Sequence, residues 1–114
     1  MHTRELHLDA DTRTLHLVDT VTSEGMHELQ WSFPLSGGSA RAEPGRASIE
    51  FPDGLGLVIE AADLTFAVES GWVSPSYGRR VEVPFVRIRK RSGTGQDVTD
   101  ITLRWEAPAT APGV

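Results

Sequence analysis

The feature that most constrains this chain is the two-residue period of its apolar side chains. Leu15 and Leu17 alternate with His16 and Val18, and Leu29, Trp31, Phe33 and Leu35 alternate with Glu28, Gln30, Ser32 and Pro34. The pattern returns at Ile49 and Phe51, at Leu55, Leu57 and Ile59, at Leu64, Phe66 and Val68, and at Ile101, Leu103 and Trp105. Each run predicts a strand with one buried and one wet face. No stretch shows a 3.6-residue period with caps, so no significant helix is expected. Turn chemistry separates the runs at Asp9-Ala10-Asp11, Glu24-Gly25, Ser36-Gly37-Gly38-Ser39, Pro44-Gly45, Pro52-Asp53-Gly54 and Ser92-Gly93-Thr94-Gly95. In Pro52-Asp53-Gly54, proline presets φ and glycine admits a positive φ. The last of these segments reads as a hairpin loop. About eight to ten strands at this spacing predict an all-β fold, an antiparallel two-sheet β-sandwich.

One irregularity stands out. Val81, Val83 and Phe85 hold one phase, and Val86 and Ile88 hold the other. A β-bulge at Phe85-Val86 is expected to restore the register. Pro84 beside it suggests a sheet edge or a break, because proline gives no N–H to a ladder.

With 114 residues, 39% of them apolar, the chain makes one domain. Residues 1–106 are expected to form the sandwich, and the Pro/Ala-rich segment 107–114 a frayed tail. There are no cysteines, which excludes disulfides, thiolate metal sites and cysteine nucleophiles. No segment has the apolar length of a spanning helix, and Met1–Ala10 lacks a signal-peptide apolar region. The chain as written is therefore expected to stay in the compartment where it is made, with no membrane partner. No dinucleotide fingerprint, P-loop, nucleophile elbow or compact zinc motif is present, so no cofactor is expected.

The net charge of −5 is unevenly spread. Residues 1–78 carry four Arg against twelve acids, whereas residues 79–91 carry five Arg and Lys90 against Glu82 alone. An overall acidic chain argues against a nucleic-acid partner, but a local anion-binding strip fits the second segment. The candidate ligand residues are Trp72, Tyr77, Arg79, Arg80, Arg87, Arg89 and Arg91. Aromatic faces stack on sugar rings, and guanidinium forks match carboxylate and sulfate. The bland alternative is that Trp72 and Tyr77 fill the edge of the core while the arginines are solvated or paired with acids. His7 and His16, on strands expected to be neighbours, form a weaker constellation. Metal ligation there would need Asp9 or Asp19 as a third group, and the expectation is of no metal site.

The run Gly71-Trp72-Val73-Ser74-Pro75-Ser76-Tyr77-Gly78, followed by an Arg- and Val-rich strand with Pro84, resembles the G-W-x-S-P-x-Y-G segment near the C-terminus of heparinase II/III-like proteins. Arg4-Glu5-Leu6, Leu15-His16-Leu17-Val18-Asp19, His27 and Trp31-Ser32-Phe33-Pro34-Leu35 resemble the same domain in the same order. The resemblance covers residues 4 to 106 and implies a polysaccharide lyase setting. Such enzymes join a helical toroid to a terminal β-sandwich, are often exported, and cleave uronate glycans such as heparin, heparan sulfate or alginate by β-elimination. In the family the base and the groups that neutralise the uronate come mainly from the toroid and from the His-rich start of the β region. This chain departs from that pattern: it begins after those elements and carries Ser32 where relatives often have His. No catalytic residue is therefore expected in it. The resemblance implies a non-catalytic sandwich that supports a toroid domain and contacts an acidic polysaccharide. The alternatives are a stand-alone acidic-glycan-binding module, or an assembly domain forming a homo-oligomer.

Overall fold

The structure is a computed structural model, and it describes residues 2–35, 37–62 and 64–106. The described residues form nine strands: β1 (His2–Asp9), β2 (Thr14–Ser23), β3 (His27–Pro34), β4 (Ser39–Glu43), β5 (Arg46–Glu50), β6 (Gly56–Glu60), β7 (Thr65–Ser76), β8 (Arg79–Ser92) and β9 (Gly95–Glu106). All pairings are antiparallel. One sheet has six strands in the order β1-β2-β9-β6-β5-β4, and the other has three in the order β3-β8-β7. The expected all-β sandwich is what forms. The frayed tail expected at 107–114 lies outside the described residues.

The alternation explains the layering. Leu17, Ile101, Ile59, Ile49 and Ala47 point inward from the larger sheet; Trp31, Val86, Ile88 and Phe66 meet them from the smaller one. Each fully buried isoleucine contributes roughly 2–3 kcal/mol of burial. Pro44-Gly45 and Pro52-Asp53-Gly54 close hairpins between paired strands, as their turn chemistry requires. Ser92-Gly93-Thr94-Gly95 does not. It links β8 in one sheet to β9 in the other, so it is a corner between layers.

The bulge is also elsewhere. β8 keeps its register through Phe85-Val86 against both neighbours, and the one shift in the β7–β8 pairing falls between Val73 and Ser76. Pro75 lies in that interval, and its missing N–H breaks the ladder there. Phe85 needs no bulge because the outer face covers it: its ring lies over Gly71, where an added Cβ would sit 2.5 Å from Cε1. The Arg87 guanidinium caps the same ring at 4.8 Å from its centroid. Pro84 sits in the middle strand rather than an edge strand, but one residue past the end of the β3 pairing. Its carbonyl accepts a hydrogen bond from the Leu35 N–H at 2.9 Å. The side of Pro84 that lacks a donor therefore faces the place where β3 has already stopped.

Beyond that point β8 pairs only with β7, over Gly71–Val73 and Val81–Val83 and again at Ser76 and Arg79. This part is a two-stranded ribbon extending past the end of β3.

Candidate functional site

The candidate ligand residues separate into two groups on different faces. Trp72 lies opposite Glu82, in the phase of Val86 and Ile88, whereas Arg87, Arg89 and Arg91 occupy the other phase of β8. Trp72 and Arg87 therefore do not share a groove.

The first group is at the ribbon tip. Trp72 is 57% exposed, and Tyr77 stands fully in solvent. The core-filling alternative for these two aromatics does not hold. The Arg80 guanidinium rests over the Trp72 ring at 5.2 Å from its centroid, a cation–π arrangement on a ring that stays more than half exposed. The tip is shaped by its own backbone: the Ser74 hydroxyl donates to the carbonyls of Ser76 at 2.9 Å and Arg79 at 2.8 Å. Gly78 turns the chain at φ 77°, a conformation that favours glycine. Among the described residues, no carboxylate lies within ion-pair distance of the Arg79 or Arg80 side chains.

The second group is on the outer face of the smaller sheet, where Arg89 and Arg87 share the carboxylate of Glu69. Arg89 donates from both terminal nitrogens to Glu69, at 2.8 and 2.7 Å, and from Nε to Gln30 at 3.1 Å. The hydrogen bonds from Arg89 hold the Glu69 carboxyl below the usual range, and the same pair raises Arg89. Arg87 Nε lies 3.6 Å from Glu69, too far for a hydrogen bond, and is buried without a partner. Lys90, on the opposite face, reaches Asp97 at 2.6 Å and the Thr99 hydroxyl at 2.9 Å. Arg91, exposed and free of ion pairs, is the only one of the three outer arginines without a carboxylate in reach among the described residues.

The histidine constellation assembles only partly. His7 and His16 are direct cross-strand partners. Their further contacts lead elsewhere: His7 to Glu5 at 3.1 Å, and His16 to Thr102 at 3.3 Å. Asp9 instead accepts the backbone N–H groups of Asp11 and Thr12 in the β1–β2 turn. Asp19 is buried on the other face. Among the described residues, no three metal-ligating side chains converge.

Asp19 is the polar residue whose importance the strand pattern understates. It is 2% exposed and accepts from Arg4 Nε and Nη2, both at 2.8 Å, and from the Trp31 indole N–H at 2.8 Å. His2 Nε2 lies 3.3 Å away. The Arg4 hydrogen bonds outweigh desolvation and, with the indole donor, hold its carboxyl at about 2. The pair joins β1 to β2, and the indole ties both to the smaller sheet across the sandwich. One signal was readable: Asp19 sits in phase with Leu15 and Leu17, where a lone carboxylate needs a partner.

Two antiparallel sheets around one core, with a charged aromatic ribbon projecting from the smaller, define the class as a β-sandwich module. Over residues 1–105 the sequence matches the family described as heparinase II/III-like, C-terminal, and the chain belongs to that family. Among solved structures it is similar to heparan sulfate lyase HepC from Pedobacter heparinus. The TM-score is 0.76 at 18% identity, covering 97% of this chain and 18% of that one. A mutant of the same lyase gives a TM-score of 0.69 at 18% identity, covering 88% and 17%. At this identity the likeness establishes the fold, and this chain spans less than a fifth of those lyases. A comparison with curated proteins gives no match.

Proposed function

We propose that this chain is a non-catalytic terminal sandwich of a polysaccharide lyase and contacts a uronic-acid or sulfated glycan through the ribbon tip. The observation that carries the reading is the exposed Trp72 ring with Arg80 resting on one face. A sugar ring stacks on the exposed indole while the Arg79 and Arg80 forks take its carboxylate or sulfate. β-Elimination needs a base held against the uronate C5 proton and a group that neutralises the carboxylate. Tyr77, the single tyrosine, stands in solvent with no hydrogen-bond partner among the described residues, and does not supply that arrangement. The test is retention on immobilised heparin at low salt, together with an absorbance assay for unsaturated product on heparin and alginate. Salt-sensitive retention that Trp72→Ala and Arg80→Ala abolish supports the reading. Turnover by this chain alone overturns its non-catalytic part, and absence of retention overturns the glycan contact.

A second observation favours a docking role toward a toroid domain. Leu6 and Leu8 belong to the inward phase of β1, paired with Leu17 and Leu15, yet are 59% and 65% exposed. Neither side chain joins the buried core, so the apolar strip suits a neighbouring domain better than water. Light scattering at high concentration separates the two occupants: a monomer supports docking onto another part of a lyase, and a dimer lost on Leu6→Glu supports self-association instead.

A further inference from the structure

We infer a second saccharide site, on the outer face of the β4–β5 hairpin, that takes a small acidic sugar unit through Arg41 and Arg46. A concavity of about 420 Å³ lies there, lined by Ser39, Arg41, Glu43, Arg46, Ser48 and Glu50. That volume falls within the roughly 300–1,000 Å³ of small-molecule sites. The inference rests on the glycan reading above but uses residues remote from the ribbon tip in sequence and on the other sheet.

Several charges elsewhere in the molecule pair across strands: Arg4 with Asp19, Arg89 with Glu69, Lys90 with Asp97 and Arg104 with Glu60. In the hairpin, Glu43 and Arg46 are direct register partners, as are Arg41 and Ser48, and Ser39 and Glu50. Opposite charges so placed ordinarily pair. Yet none of these four charged side chains has an ion pair or a side-chain hydrogen bond. Two guanidinium forks, two carboxylates and two hydroxyls therefore line one concavity with their capacity unspent.

A ligand that satisfies this set offers an anionic group to the forks and hydroxyl donors to Glu43 and Glu50. A uronate or sulfated sugar carries both on one ring. A simple anion leaves the carboxylates unmatched, and a neutral sugar leaves the forks unmatched. No aromatic ring lines the concavity, so recognition is polar and is expected to weaken with salt. The hairpin is held from behind. Ala47 and Ile49 are fully buried in the core, and Gly45 bonds to the carbonyl of Leu64 and accepts from Ala61 N–H. The side chains at this face are thus substitutable without touching the core.

The test is an amide-shift titration of the whole chain with a heparin-derived disaccharide, with cellobiose and inorganic sulfate as controls. The expected result is saturable shifts at Ser39–Arg41 and Arg46–Ser48. They weaken at least tenfold in Arg41→Ala/Arg46→Ala and several-fold in Glu43→Gln/Glu50→Gln, and are unchanged in Trp72→Ala. Shifts confined to the ribbon tip overturn the inference and leave the glycan reading intact; no shifts at either place, with no heparin retention, overturn both. Sulfate binding as tightly as the disaccharide shows a plain anion site and overturns the assignment to a sugar.

Discussion

β7 and β8 run through two regions that look alike in sequence and behave differently in the fold. In the body, Arg87 and Arg89 lie over the outer face between Glu69, Gln30 and the Phe85 ring. In the ribbon, Arg79 and Arg80 have no carboxylate in reach among the described residues, and Arg80 is poised on Trp72. The contrast separates arginine content from available charge. Strand phase and cross-strand partners decide which guanidinium still has hydrogen bonds to give. On these two strands Arg89 is spent on holding strands together, while Arg79 and Arg80 at the ribbon tip carry no ion pair among the described residues.

The largest test of that contrast is at Asp19. Asp19→Asn leaves Arg4 without its counter-charge beside a buried amide and is expected to cost about 3 kcal/mol. Trp72→Ala in the ribbon should cost less than about 0.5 kcal/mol, as an exposed substitution. Urea unfolding measures both, and similar losses would erase the distinction.

The same carboxylate sets an acid limit. Its folded value of about 2 lies below its ordinary 3.8. The stabilisation is therefore complete above the unfolded value and is lost as pH falls through the folded one. About 2–3 kcal/mol should disappear between roughly pH 5 and pH 1. Asp19→Asn should flatten that part of the stability curve, and an unchanged slope would show that other carboxylates carry it.

Where the ribbon leaves the body, Gly71→Ala should cost about 1–3 kcal/mol by overpacking against Phe85 and Arg87. Thermal melts check this, and a neutral result would mean that the Phe85 ring moves freely. For binding, Arg79→Ala/Arg80→Ala should weaken heparin affinity about tenfold, and Arg87→Ala/Arg89→Ala less than about twofold. The smallest effect runs the other way. Glu69→Gln frees both body arginines and should tighten heparin binding two- to threefold, read as later elution in a salt gradient.

Much of the architecture was legible because strand alternation and turn residues are local signals. Leu15 and Leu17, or Ile101 and Leu103, show their buried face without reference to anything distant. What failed depends on partners far away in sequence. Phe85 looked like a register slip because its cover, Gly71, lies on another strand. Ser92–Gly95 looked like a hairpin because a two-sheet corner uses the same residues. The strip from Arg79 to Arg91 reads as continuous because Glu69, which pairs with Arg89 in its second half, lies on the preceding strand. Trp72 and Tyr77 stand out in the sequence as aromatics beside arginines, but their exposure, and the fact that Arg80 and not Arg87 is the arginine beside Trp72, depend on the fold. The hairpin concavity carries no local sequence signal, because only the fold shows that Glu43 and Arg46, though register partners, form no ion pair.

The most direct measurement of the central claim is an amide- and guanidinium-shift map of the chain titrated with a heparin dodecasaccharide at low salt. The account predicts that, on β7 and β8, the largest shifts fall at Trp72–Arg80, with the Arg87 and Arg89 side-chain signals nearly unmoved. Shifts centred on Arg87, Arg89 and Arg91, with a silent ribbon tip, would contradict it.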